Sequence, residues 1–551
     1  MGNNRFLKGA FILSFGMILS KILGLVYVFQ FVNLVGEAGN SLYSYAYNYY
    51  TLFLSLSTMG IPLGIAKFVS RYNAQGEYDT SRKMFKNGAV VLIGLGVVAF
   101  TLMYITAPSQ AARVLGSKDT VNTVEHVTVA IRLVSFALLI VPIMALFRGF
   151  SQGHHDMLPT SVSQVVEQLV RVACIIGGSY FIIFGLDLDP RYAVYFSVFA
   201  AFIAALAGLG VLYYYWRKNV PHYDELLAQT IPHEPRNIGE LWKELIIFAV
   251  PFAILGLSTS LYNFIDATSL NSALTSSGLN SKLADLLFGV YNTNLFKVIA
   301  IPITIAIAFG QPLIPELTTL HMQGDKKGVR KNISLALQMI AFIIIPAVIG
   351  LSVLAQPVYV ALFNSRTIGI NAWGIEIFRI GSYIGLFLGT YSIIASILQG
   401  INQQYKGIIY LAIGVFIKAI INVPLVHLFQ IDGSIYATMI GMSVTLVLCM
   451  HTIMKETNFK LNLLLRRLFA ITLFASIMGG IVFGVNGLLE IWLPVGVEPA
   501  SRINAMIHLV VAGGLGMIVY FALAMYFDLT TLIFGNKFSL NSIKNRIKRR
   551  K

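Results

Sequence analysis

The chain is 551 residues long, 56% of them hydrophobic and only 12% charged. Soluble domains carry about 25% charged residues, so this composition excludes a water-soluble globular protein and indicates a polytopic membrane protein. The net charge of +16 raises nucleic acid as a partner. Its distribution over alternate loops excludes that and makes the charge a topology signal with a contact to anionic lipid.

Apolar runs long enough to span a bilayer recur about fourteen times. They lie at roughly 7–33, 40–70, 83–107, 124–149, 159–184, 191–216, 241–270, 283–315, 331–355, 373–399, 407–429, 433–454, 467–489 and 503–527. The first follows Arg5 and Lys8 as in a signal peptide, but it is long, contains Lys21 and lacks a small-residue cleavage site. It reads as a retained helix. Tyr43, Tyr45, Tyr47, Tyr49 and Tyr50 open the second run, where an interfacial aromatic belt is the expected role. Lys67 lies near the inner end of that run and can snorkel.

Basic residues collect in the N-terminal tail, after the second, sixth, eighth and twelfth runs, and from Lys537 to Lys551. The opposite loops hold only Arg113, Lys118, Arg191, Lys282, Arg366 and Arg502. The positive-inside rule then predicts a multi-pass protein of the cytoplasmic membrane with both termini cytoplasmic. Cys174 and Cys449 fall inside apolar runs, so no disulfide framework is expected.

An internal repeat organises the chain. Arg132, Gln152-Gly153 and Arg171 return 247 residues later as Arg379, Gln399-Gly400 and Lys418. Gln75-Gly76-Glu77 with Arg82-Lys83 returns at an offset of 248 as Gln323-Gly324-Asp325 with Arg330-Lys331. Fixed-period self-similarity marks repeat architecture, here two tandem halves of the same sense. The polar stretch around Trp216 to Glu240, with Pro221, Pro232 and Pro235, is the natural linker. The expected division is a six-helix lobe over 1–218, a cytoplasmic linker over 219–240, a second six-helix lobe over 241–457, and two additional helices with a basic tail over 458–551. A parallel repeat implies a pseudo-two-fold axis along the membrane normal, with substrate handled between the repeats.

The basic residues inside runs are Lys21, Lys67, Arg132, Arg171, Lys297, Arg379 and Lys418. A charge near the bilayer centre costs at least about 2.5–3.5 kcal/mol, so such residues normally face a bundle interior or a watery cavity. Glu167 and Asp266 are the clear acidic residues within runs. Glu167 lies four residues before Arg171 and can pair with it along one helix face, either as a neutralised structural pair or as part of a site. The surplus positive charge suits an anionic solute, above all one bearing phosphate. There is no Walker A loop, and His154-His155-Asp156 lacks the further ligands a metal needs. The expectation is a transporter, not an enzyme, with no metal. Pro62, Pro142, Pro251, Pro302, Pro312, Pro346 and Pro424 within runs suit bent, movable helices.

Two motifs carry a family resemblance. Arg148-Gly149-Phe150-Ser151-Gln152-Gly153, followed by Pro159-Thr160 and Gln164 through Arg171, resembles the fourth-to-fifth helix region of polysaccharide transporters in the multidrug, oligosaccharidyl-lipid and polysaccharide exporter superfamily. Ser20-Lys21-Ile22-Leu23-Gly24 resembles the first-helix motif of MurJ-type lipid II flippases, and the whole chain is similar above all to their Gram-positive branch. The resemblance implies an all-α fold of two V-shaped lobes around a basic central cavity, with two additional C-terminal helices whose groove the polyprenyl tail follows while it stays in lipid.

 
By motif, Lys21 takes the place of the family's first-helix arginine, and Lys297, five residues before Pro302, that of its eighth-helix arginine. The family's next first-helix pair, Arg-Asp, falls here on Tyr27 and Val28, so part of its phosphate clamp is missing. Arg132, Arg171 and Arg379 are the candidates to supply that charge. The implied substrate is an undecaprenyl-pyrophosphate-linked glycopeptide.

Asn263-Phe264-Ile265-Asp266 resembles a seventh-helix segment that contributes to a sodium site in some relatives, with Asn422 and Thr438 at matching positions. Lys418, one turn before Asn422, stands at another ligand position. The readings left open are a lysine-substituted site, coupling to a monovalent cation, protons or membrane potential, and a fixed Asp266–Lys418 structural pair. No cofactor is expected. The expected partners are the lipid-linked substrate, membrane lipids and cell-wall synthesis enzymes, around a monomer, with no nucleic acid. The leading reading is an alternating-access flippase for lipid II. Its rivals are a flippase for another polyprenyl-linked glycan (capsule, teichoic or spore-envelope), a multidrug–cation antiporter, which the basic surplus disfavours, and a membrane-embedded glycan polymerase or scaffold.

Overall fold

The structure, a computed structural model, describes residues 2–58, 60–115, 121–154, 156–232, 237–363, 369–496 and 501–530. No strand occurs among them. In chain order the helices are α1 (Gly2–Thr58), α2 (Ile61–Ala74), α3 (Tyr78–Leu115), α4 (Val124–Ser135), α5 (Val141–Gly153), α6 (Leu158–Tyr180) and α7 (Pro190–Ala228). Next come α8 (Ile238–Gly256), α9 (Ser258–Ser276), α10 (Ser281–Gly289), α11 (Phe296–Met322), α12 (Lys326–Val353) and α13 (Ala355–Leu362). The last are α14 (Ile370–Gly400), α15 (Gln404–Phe429), α16 (Ile431–Thr457), α17 (Leu461–Trp492), α18 (Ser501–His508) and α19 (Gly514–Tyr526).

Among the described residues, 11 helical stretches have the length and apolar composition to cross a membrane. They coincide with the third to sixth and the eighth to fourteenth apolar runs of the sequence. The first two runs meet at Gly36, inside the expected boundary near 34–39, and the second of them is divided again at Gly60. Gly36, at φ 71° and ψ −178°, is non-helical, so α1 is two helical parts joined at a kink, a backbone conformation open to glycine because it has no Cβ. The helix continues to Thr58, and α2 starts beyond Gly60 with Pro62 in its first turn, where a missing N–H costs nothing. The seventh run is split between α8 and α9 at Leu257.

The stretch expected as a linker is helical as far as Ala228, with Pro221 inside α7. Tertiary contacts hold this extension. Tyr223 packs on Phe150 and His154 at ring distances of 5.2 and 4.7 Å, and Asp224 lies 2.6 Å from Arg82. Lys67 is exposed.

The chain divides into two compact units, Met1–Lys297 with Lys418–Ser434, and Val298–Ile417 with Ile435–Lys551. In the first, α6 packs on α1 and α7, and α2 on α5. One of its cores gathers Ile65, Phe68, Tyr72, Phe85, Phe150 and Tyr223. In the second, α12 packs on α14 and α17, around a core that includes Ile333, Leu337, Ile344, Ile397 and Ile453.

The sequence repeat has a counterpart in packing. A Cβ on Gly153 would lie 2.6 Å from Val69 Cβ, and one on Gly400 would lie 2.7 Å from Leu317 Cβ. Val69 and Leu317 are themselves 248 positions apart. Each unit therefore uses a glycine to bring two helices close, as small residues do in membrane interiors. Gly153→Leu and Gly400→Leu are each expected to destabilise the protein by about 1–3 kcal/mol through overpacking. Gly177→Leu, where a Cβ meets nothing within 4 Å, should leave the thermal midpoint of the detergent-solubilised protein unchanged.

Candidate functional site

Glu167 and Arg171 stand one turn apart on α6, and Arg148 comes from α5. Glu167 accepts from both arginines, from Arg148 Nη2 at 2.9 Å and from Arg171 Nη2 at 2.8 Å. Arg148 also donates to Ser163 Oγ at 3.2 Å. One carboxylate thus serves two guanidiniums, so the α5–α6 group retains positive charge. Arg171 reaches further, donating from Nη1 to Tyr47 Oη at 3.3 Å, while its buried Nε has no partner.

Tyr47 is also where Lys297 arrives. The ammonium lies 5.3 Å from the ring centroids of both Tyr27 and Tyr47 and donates to Tyr27 Oη at 3.2 Å. Tyr43 stacks on Tyr47 at 5.3 Å, and its hydroxyl lies 3.2 Å from that of Tyr27. Ring faces attract cations through their quadrupole, which lets two like charges share one neighbourhood. The tyrosines are consequently not an interfacial belt: Tyr43, Tyr45, Tyr49 and Tyr50 are all buried. Their placement follows from the kink at Gly36, which carries the second part of α1 into the unit.

Arg171 and Lys297 are the sequence-predicted cations that come together here. Arg132 lies elsewhere, over the Tyr104 ring at 4.9 Å, with Nε donating to Tyr104 O at 3.4 Å. Arg379 is exposed and pairs with Glu376 at 2.9 Å. The side chain of Lys21 lies outside the described residues.

A second group is sealed. Lys418 Nζ on α15 lies 2.6 Å from Asp266 Oδ2 on α9, and both side chains are fully buried. Lys418 also donates to Tyr262 O at 3.0 Å. Asp266 accepts from Ser434 Oγ at 2.6 Å and Tyr291 Oη at 3.3 Å. Asn422 donates to Ser269 Oγ at 2.8 Å. Thr438 is buried on α16, one turn beyond the Ser434 that supplies the hydroxyl. A carboxylate, a backbone carbonyl and a hydroxyl are oxygen ligands of the kind that hold a hard cation. Here an ammonium is held among them.

Three contributors escape sequence reasoning. Arg148 reads as a loop cation, and its pairing with Glu167 has no local spacing to announce it. Ser434 lies one turn from the threonine chosen instead. Asp285 on α10 is fully buried and takes its hydrogen bonds from neutral donors: Tyr45 Oη at 2.5 Å, and the backbone and side-chain nitrogens of Asn122, each at 3.1 Å. Asn271 in turn donates to Tyr45 Oη at 3.1 Å. Beside it a π-helical segment, Val290–Leu295, meets α1 in a polar ladder. Asn40 donates to Asn294 at 3.1 Å, the hydroxyls of Ser44 and Thr293 touch, and Asn48 donates to Asn292 at 3.2 Å.

Removing one member of a buried ion pair typically costs about 3–5 kcal/mol, whereas replacing both by apolar groups is often neutral. Lys418→Met is therefore expected to lower the thermal midpoint sharply, and the double substitution Asp266→Leu with Lys418→Met to recover most of the loss. Equal midpoints for the single and double variants would contradict the pairing.

The polysaccharide biosynthesis protein family matches residues 6–321. The chain is 38% identical over 519 residues to the lipid II flippase MurJ of Bacillus subtilis (strain 168), covering 94% of each protein. A solved structure of lipid II flippase MurJ in an inward closed conformation superposes with a TM-score of 0.58 at 13% identity, over 95% of this chain and 100% of that one. The eukaryotic MATE transporter AtDTX14 superposes with a TM-score of 0.60 at 14% identity, over 86% of this chain and 100% of that one. Both solved structures share the all-α membrane fold, and the sequence match carries the relationship further. The chain belongs to the polysaccharide biosynthesis protein family and, within it, to the MurJ branch of the multidrug, oligosaccharidyl-lipid and polysaccharide exporter superfamily.

Proposed function

We propose that the protein is a flippase that carries lipid II, an undecaprenyl-pyrophosphate-linked peptidoglycan precursor, from the inner to the outer leaflet of the bacterial cytoplasmic membrane. The observation that carries this reading is the meeting of Arg171 and Lys297 on Tyr47. Arg171 keeps a buried, unpartnered Nε–H, and an ammonium has three donors, of which Lys297 spends one on Tyr27. Unspent cationic donors are what a diphosphate recognises. The curated relative in Bacillus subtilis is itself named a lipid II flippase.

In this reading the lobes over 1–218 and 241–457 alternate access, and 458–551 adds two helices beside which the polyprenyl tail stays in lipid. Lys21 joins Arg171 and Lys297 in handling the anion, whereas Arg132 is taken up by Tyr104 and Arg379 by Glu376. Both termini are cytoplasmic, the protein acts as a monomer, and cell-wall synthesis enzymes are its partners. Asp266 and Lys418, with Asn422 and Thr438 in support, form a lysine-substituted site in place of a sodium site, leaving protons or the membrane potential as the driving force, while Glu167 forms the structural pair with Arg171.

The test is lipid II flipping by the full chain in reconstituted vesicles. A hydrogen bond to a charged group is worth about 1.5–3 kcal/mol, so Lys297→Gln and Arg171→Gln should each slow flipping roughly tenfold or more, with Lys297→Arg retaining most of the rate. Full activity in both glutamine variants would overturn the assignment. Replacing sodium by potassium should leave the rate unchanged, and strict sodium dependence would refute the lysine-substituted site. If depletion in cells causes another polyprenyl-linked glycan to accumulate instead of lipid II, the substrate assignment fails while the anion site stands.

A further inference from the structure

The second unit carries a cavity of about 550 Å³ whose lining includes Arg330, Lys331, Ser334, Gln338, Lys460 and Arg467, and no carboxylate. It lies where the start of α12 meets the start of α17. Loop charge alone is enough to set topology, but this group is more organised than a topology signal requires. Gln338 is fully buried. Its Nε2 donates to Ser334 O at 2.8 Å and Ser334 Oγ at 2.6 Å, which fixes the amide. Its Oε1 then accepts from Arg467 Nη1 at 2.7 Å, holding the guanidinium at the cavity wall. Arg330 spends its Nε on Lys326 O at 3.0 Å. Among the described residues no carboxylate pairs with Arg330, Lys331, Lys460 or Arg467. α17 opens without a side-chain cap, so its first backbone N–H groups add to the positive end.

We infer that this cavity binds the phosphate head group of an anionic membrane phospholipid. Basic pockets between spanning helices suit such head groups, and the volume falls within the range of small-molecule sites. The surroundings favour a lipid over a free anion. The cavity lies at the starts of two helices long and apolar enough to cross a membrane, Lys326–Val353 and Leu464–Trp492, the level at which lipid head groups sit. The site is distinct from the Arg171–Lys297 group. Its placement at the cytoplasmic leaflet rests on the topology proposed above, but its chemistry does not.

The test uses the purified full chain and measures binding of phosphatidylglycerol, phosphatidylcholine and inorganic phosphate, without lipid II. Phosphatidylglycerol should bind and raise the thermal midpoint, with phosphatidylcholine inert. Lys331 and Lys460 are both exposed, so Lys331→Gln with Lys460→Gln should fold normally. Each charge near an anionic lipid surface is worth about 1 kcal/mol, so the double variant should bind roughly 30-fold more weakly. Arg467→Gln, checked for folding by gel filtration, should weaken binding further. Equal binding of the two lipids, or undiminished binding by the double variant, would overturn the site. Protection by inorganic phosphate equal to that by phosphatidylglycerol would make it a free-anion site and overturn the lipid assignment. Because no lipid II is present, these outcomes leave the flippase reading untouched, and loss of flipping in Lys297→Gln leaves this one untouched.

Discussion

The candidate site depends on a shortage of negative charge. Glu167 is the carboxylate within reach of both Arg148 and Arg171, and it cannot neutralise two guanidiniums. Bringing Lys297 to the same neighbourhood in an apolar surrounding would be prohibitive without compensation. The compensation comes from neutral groups: the hydroxyls of Tyr27 and Tyr47 and the electron-rich faces of their rings. Hydroxyls and π-faces attract cations without cancelling their charge, so the group stays positive while its members stay close together.

Lys418, a fully buried cation in the same unit, is treated in the opposite way. Lys418 is matched to Asp266, and Asp266 is further satisfied by Ser434 and Tyr291. A saturated pair has nothing left to offer a passing solute, and its breaking leaves a charge stranded. The unit thus separates a closed ion pair, suited to holding helices in register, from an open cationic group suited to a ligand. Asp285 is a third solution, a carboxylate held wholly by neutral donors.

Most of the helices were legible because a spanning helix must be long and apolar, a requirement that sequence displays directly. The repeat was legible for the same kind of reason: Gly153 and Gly400 are each fixed by close packing against Val69 and Leu317, so the residue type at those positions is narrowly constrained. The break at Gly36 was legible, since it falls between the first two apolar runs; the further division at Gly60 was not, since the second run passes through it. Nor was the role of the tyrosines. An aromatic run beside a membrane boundary reads the same whether its rings face lipid head groups or a buried cation, and only the direction of α1 beyond the kink decides. The partners of Glu167 and Asp266 were half legible: Arg171 by helical spacing, Arg148 and Ser434 by nothing short of the tertiary structure.

The π-helical segment between Asp285 and Lys297 has a consequence for how this part of the chain can vary. A π turn holds one residue more than the α turn it replaces, and an α-helix advances about 100° per residue. The surplus residue within Val290–Leu295 therefore sets the angular offset between Asp285 and Tyr291 on one side and Lys297 on the other. Side-chain chemistry there is exchangeable only at constant length. Losing a single residue would let the helix relax to regular geometry while swinging the ammonium of Lys297 away from Tyr27 and Tyr47, a large change in charge placement with little change in helical content.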